Sequence, residues 1–218
     1  GTYDHLGLLV VANLVWLALC VPIVTAPPAT AGLFHLTLMI ARGEDAGIRD
    51  LFRGLRRHLS PALKLGVVDF VVLVLLWVNV DFYSHMRGGA AIPGMILAAA
   101  LIWAGAFYAL MHAHLMPLMV SGERRLGRLL KKSALLTLDN IGFTIGITLQ
   151  AASLTVLCVI TGAGLILING SLVASLLTAG HHQLLRKYSD SPAETPPEDE
   201  TRTFRDLWRP WDSQKPGS

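Results

Sequence analysis

Charge is scarce in this chain. Only 15% of its 218 residues are Asp, Glu, Lys or Arg, against about 25% in an ordinary soluble domain. The shortfall is uneven: long uncharged runs alternate with short basic segments. That pattern excludes a large soluble core and points to a membrane protein. Cysteine is nearly absent, and Cys20 and Cys158 both lie in apolar runs, which excludes a disulfide framework. Chemical signatures are also missing. There is no Walker loop, so the chain is not expected to hydrolyse ATP by itself. Neither His-Glu-x-x-His nor Cys-x-x-Cys occurs, so no metal site and no cofactor is expected. Without a Gly-x-Ser-x-Gly elbow or any other catalytic motif, the chain is not expected to be an enzyme. No basic segment precedes the first apolar run, which therefore does not read as a signal peptide. The chain starts at Gly1 rather than Met, and its natural N-terminus is expected to lie further upstream.

What is present is apolar: 53% of the residues are hydrophobic. Six stretches read as spans, at residues 6–21, 28–40, 61–82, 93–119, 141–160 and 165–185. Pro61 and Pro93 fall where proline is tolerated, in the first turn of a helix. Residues 161–164 read as a tight turn between the last two spans. The expected fold is all-α, a polytopic membrane helical bundle of about six transmembrane helices with two cytoplasmic amphipathic helices. Of the 18 Lys and Arg residues, Arg87 alone falls between the third and fourth spans. The others lie in residues 42–64, in residues 124–132 and from Arg186 onward. The positive-inside rule places those segments in the cytoplasm, and an even number of spans places both termini there too. The excess of positive charge (net +3) then fits an anionic lipid surface rather than nucleic acid.

The first hairpin is short. Sixteen residues at 1.5 Å give roughly 24 Å against a hydrocarbon core of about 30 Å. The turn at residues 24–29 then lies below the outer surface, or the bilayer thins, or the first span begins before Gly1. On the basic side, Ile48, Leu51, Phe52, Leu55 and Leu59 recur at helical spacing opposite Arg49, Arg53, Arg56 and Arg57. This predicts an amphipathic helix on the membrane surface, with Asp45 as its N-cap. A second is predicted over residues 124–138, with Leu126, Leu129 and Leu130 opposing Arg125, Arg128, Lys131 and Lys132. Gly43-Glu44 precedes the first and Gly122-Glu123 the second, a faint internal repeat. Residues 1–188 form the expected transmembrane domain, and residues 189–201 a disordered acidic, Pro-rich linker. Residues 202–218 form an amphipathic cytoplasmic tail, in which Phe204, Leu207, Trp208 and Trp211 recur at helical spacing. The tail suits either an interfacial anchor or a docking element.

A few polar residues fall inside the spans: Asn13, Asp69, His112, His114 and Gln150. An ionised Asp at membrane depth costs roughly 2.5–3.5 kcal/mol. The third and fourth spans are antiparallel, so His112 or His114 reaches the depth of Asp69, and only one of the two can face it. Two readings stand side by side. These groups line a cytoplasm-open solute or proton site, or they are interhelical hydrogen bonds worth about 0.6 kcal/mol each. Gly142-x-x-x-Gly146 reads as a close-packing motif, and His181 and His182 as snorkelling residues at the last interface.

The opening residues Asn13, Trp16, Pro22, Thr25 and Pro28 resemble the signature of the YesL-like bacterial membrane protein family, DUF624. Gly43-Glu44, the Phe52 helix and Arg209-Pro210-Trp211 in the tail fit it as well. The resemblance implies a multi-span protein of the bacterial inner membrane, associated with carbohydrate-uptake systems of the ABC type. It brings no catalytic residues. The expected role is a non-enzymatic accessory protein whose partners are anionic lipid and a membrane transporter. The alternative is a small solute transporter or channel with a polar site at Asp69, His112 and His114. The oligomeric state and the solute are not legible in the sequence.

Overall fold

Backbone groups in hydrocarbon must bond within their own segment, so apolar runs of this length become helices. The computed structural model describes residues 4–162, 164 and 167–190, and every regular element among them is helical. Helix α1 is Asp4–Cys20, α2 is Ala26–Ala41 and α3 is Ile48–Ser84. Helix α4 is Ala91–Val120, α5 is Leu126–Asp139, α6 is Ile141–Thr161 and α7 is Asn169–Asp190. Short 3-10 turns at Ile23–Thr25 and Gly88–Ala90 lead into α2 and α4. Among the described residues four stretches are long and apolar enough to cross a bilayer: Ile23–Ala41, Ile48–Ser84, Gly88–Val120 and Ile141–Thr161. The apolar helix Leu6–Cys20 is shorter, and α7 is not one of the four. The chain divides into two compact units, Gly1–His182 and Gln183–Ser218. The expected linker beyond Asp190 and the tail residues Phe204, Leu207, Trp208 and Trp211 lie outside the described residues.

Three local expectations are corrected. Pro61 does not begin a helix; it lies inside α3, which runs unbroken for 37 residues. The amphipathic segment at residues 48–59 is therefore the first third of a long helix rather than a separate surface helix. Its N-cap is Gly47, not Asp45, and the Asp50 carboxylate accepts a 2.9 Å hydrogen bond from the Gly47 N–H. Gly142 and Gly146 face open space, and α6 instead buries Thr144 and Ile147. Pro93, by contrast, does sit in the first turn of α4.

Helix α2 is the centre of the fold. In its most apolar 18-residue stretch 44% of the residues are buried, against 6% in that of α3 and 11% in that of α4. One core cluster joins Leu33, Phe34, Leu36 and Leu38 of α2 to Leu51, Val120 and Ala174. A second joins Ala31 to Ala62, Leu65, Leu115, Met119 and Leu129. The α2–α3 contact is close because Gly54 faces His35: a Cβ there would stand 2.5 Å from the His35 Cβ. Burial is concentrated toward the basic end of α3 and α4. Toward the other end Phe70, Trp77, Ile92 and Trp103 are each at least 69% exposed, as befits side chains in contact with lipid.

The faint repeat has a physical counterpart. At the end of α2, Gly43 (φ 71°) lets the chain turn, and the N–H of Glu44 bonds to Met39 O at 3.0 Å. At the end of α4, Gly122 (φ 127°) does the same, with Glu123 N–H bonded to Leu118 O at 3.2 Å. The equivalent bonds Gly43 N–H to Ile40 O and Gly122 N–H to Met119 O complete both caps, satisfying carbonyls that a helix end would otherwise leave bare. Counting back from each glycine by the same interval reaches a histidine, His35 in one copy and His114 in the other.

Candidate functional site

The residues of the opening signature build the first hairpin. Non-helical backbone at membrane depth needs partners, and the Thr25 hydroxyl supplies one by bonding to the carbonyls of Leu19 and Pro22. Pro28 is buried, and the Trp16 indole N–H donates to Thr30 Oγ1 at 3.2 Å. Asn13 is fully buried, and its Oδ1 accepts the N–H of Ser171 on α7 at 3.2 Å. These residues position α1 against α2 and α7. Asn13 thus has a structural partner away from the other intramembrane polar groups.

Asp69 and His112 do meet. Tyr108 Oη donates to Asp69 Oδ1 at 2.5 Å, and His112 Nε2 lies 3.2 Å from the same oxygen. His112 Nδ1 is 3.1 Å from the carbonyl of Tyr108. Both ring nitrogens therefore face oxygens that only accept, an arrangement suited to an imidazolium–carboxylate pair. The cluster sits on the flank of the α3–α4 hairpin, where the side chains of Asp69 and His112 are 22% and 38% exposed.

His114 belongs elsewhere. It is buried, and its Nε2 lies 2.9 Å from Thr144 Oγ1 on α6. The Thr144 hydroxyl gives its hydrogen to the Asn140 carbonyl at 3.0 Å, so Nε2 of His114 is the donor in that contact. The ring stands 6.2 Å from that of His181. His181 is itself buried rather than snorkelling, while His182 is exposed. Gln150 opens onto a largely apolar cleft of about 520 Å³ between α6 and α7, with Ser153 and Ser175 also on its wall. The five polar residues singled out in the sequence thus resolve into one pair, Asp69 with His112, and three separate environments. Among the described residues no group of three or more His, Cys, Asp or Glu could hold a metal ion.

A further site has no counterpart in the sequence reading. A cavity of about 300 Å³ opens between the end of α2, the first turns of α3 and the α4–α5 turn. Its rim carries Arg42, Arg53, Arg57 and Arg124, with Glu44 as its carboxylate, and its wall includes His35 and His58. The two imidazole rings are 5.8 Å apart. The first two arginines have acidic neighbours: Arg53 bonds to Asp50, and Arg42 is 3.9 Å from Glu44. Local spacing does not reveal the cavity, because His35 and His58 lie on different helices. The shared histidine–glycine interval of the repeat is the signal that marks His35.

Long apolar helices, a polar pair within them and a basic end together describe a polytopic α-helical membrane protein. Residues 9–80, which span most of α1 through α3, match the family model described as "Protein of unknown function, DUF624". The likeness to the YesL-like family is borne out over that segment. No curated protein and no solved structure matches the chain.

Proposed function

We propose that this chain is a non-enzymatic accessory protein of the bacterial inner membrane, with its basic side and both termini in the cytoplasm. It docks on a solute importer of the ABC type, of the kind that takes up carbohydrates. The observation that carries this reading is the Asp69–His112 pair. It is held from within by Tyr108 and left half-open on an otherwise apolar flank. Charged groups facing hydrocarbon are costly, and a partner helix laid over that flank gives them a cheaper environment than lipid. His114 makes its contacts with α6 and α7, which weighs against one solute site built from Asp69, His112 and His114.

The test is a mild-detergent pull-down of the tagged protein from its own membranes, in three forms: unaltered, Asp69→Asn, and truncated at residues 203–218. Stoichiometric recovery of an importer subunit, reduced at least severalfold by either change, is the expected result. Recovery of the protein alone in every form, combined with solute flux into vesicles that Asp69→Asn abolishes, would establish the transporter reading in its place.

A further inference from the structure

The cavity at the basic end holds more donors than its acids can use. Arg57 and Arg124 make no ion pair among the described residues, and Glu44 is the only carboxylate on the rim. Surface arginines beside a membrane are commonplace, and they would carry no inference alone. The deciding feature is on the wall. His58 is 2% exposed, yet neither of its ring nitrogens has a partner, and Nδ1 of His35 beside it is likewise unpaired. A buried polar group without a partner is costly to leave so. Here the two residues line a space large enough for a ligand and ringed with guanidinium groups.

We propose that this cavity binds a phosphomonoester. A phosphomonoester brings several acceptor oxygens and close to two negative charges. Its oxygens complement the imidazole donors on the wall, and its charge meets the unpaired guanidiniums of Arg57 and Arg124, which bind such groups in fork geometry. A carboxylate offers fewer acceptors and half the charge. The group belongs either to a free phosphorylated small molecule or to the head of an anionic lipid, since the cavity lies at the end of the spans where headgroups sit. The inference does not rest on the accessory role; a transporter or an accessory protein could equally carry such a site.

The experiment uses the full-length protein in two settings. In detergent, glycerol phosphate is titrated calorimetrically, with acetate as the control. In nanodiscs, retention of phosphatidic acid is compared with that of phosphatidylcholine. The double variant Arg57→Gln/Arg124→Gln and the variant Glu44→Gln are measured beside the unaltered protein, with thermal midpoints confirming that each is folded. Saturable binding of glycerol phosphate, weakened about tenfold or more in the double variant and strengthened in Glu44→Gln, assigns the site to a free ligand. Selective retention of phosphatidic acid that is lost in the double variant, with no binding of glycerol phosphate, assigns it to lipid. Absence of selective binding in both settings, or equal binding by the double variant, overturns the proposal.

Discussion

The two Gly-Glu turns share a hydrogen-bond pattern and differ in their charges. After α4, Glu123 is nearly enclosed, its side chain 10% exposed, with Lys132 Nζ at 2.8 Å and Arg128 Nε at 3.3 Å. After α2, Glu44 is exposed and reaches only Arg42, at 3.9 Å. The histidines are more alike: Nδ1 is buried without a partner in both His114 and His35, but His114 gives its Nε2 to Thr144 inside the bundle, whereas His35 lines the cavity. At the carboxylate, one copy has closed its electrostatics within the chain, and the other has left them open. An internal repeat can thus keep a helix-ending device in both copies while freeing one of them to meet something outside.

The comparison can be broken first at its packing. Gly54→Leu should lower the thermal midpoint in detergent sharply, by an overpacking cost of about 1–3 kcal/mol or more, because its Cβ would meet His35. Gly146→Leu, in open space, should leave the midpoint unchanged. Equal behaviour of the two would remove the close α2–α3 contact from the account. Next come the turns themselves. Gly43→Ala and Gly122→Ala meet no neighbouring atom, so each should cost only its positive-φ backbone term: about 1–2 kcal/mol at Gly43 (φ 71°), and more at Gly122, whose φ of 127° lies further from the left-handed well. A larger loss at Gly43 than at Gly122 would dismiss the backbone account.

The smallest effect is the pH response of the closed copy. The hydrogen bond from Lys132, aided by Arg125 and Arg128, holds the Glu123 carboxyl below the usual glutamate range. A depressed acid contributes stability above its unfolded value and loses it as pH falls through the folded one. Melting curves should therefore show a modest loss on acidification below the ordinary glutamate range, absent in Glu123→Gln. An unaltered acid limb in that variant would dismiss the Glu123 network as a source of stability.

Much of the helical plan was legible because hydrocarbon leaves the backbone no alternative. The Asp69–His112 meeting was legible for a similar reason: two antiparallel helices of known register put only certain residues at one depth. Pro61 misled because a proline beside a basic segment looks like a helix start, whereas tertiary packing of Leu51, Ala62 and Leu65 on either side of it holds α3 continuous. The Gly142 and Gly146 spacing misled because a motif states what could pack, not what does. The basic cavity escaped because its walls come from three separate parts of the chain, and no local pattern records their meeting.

Pro61 has one more consequence. Lacking an N–H, it leaves the carbonyl of Arg57 without its helical donor. At 1.5 Å per residue the 37 residues of α3 make a rod of about 55 Å, and this one weakened rung falls between His58 and Asp69. The rod therefore bends most easily near Pro61, at the boundary between the arm that bears Arg53 and Arg57 and the stretch that carries Asp69 into the bilayer.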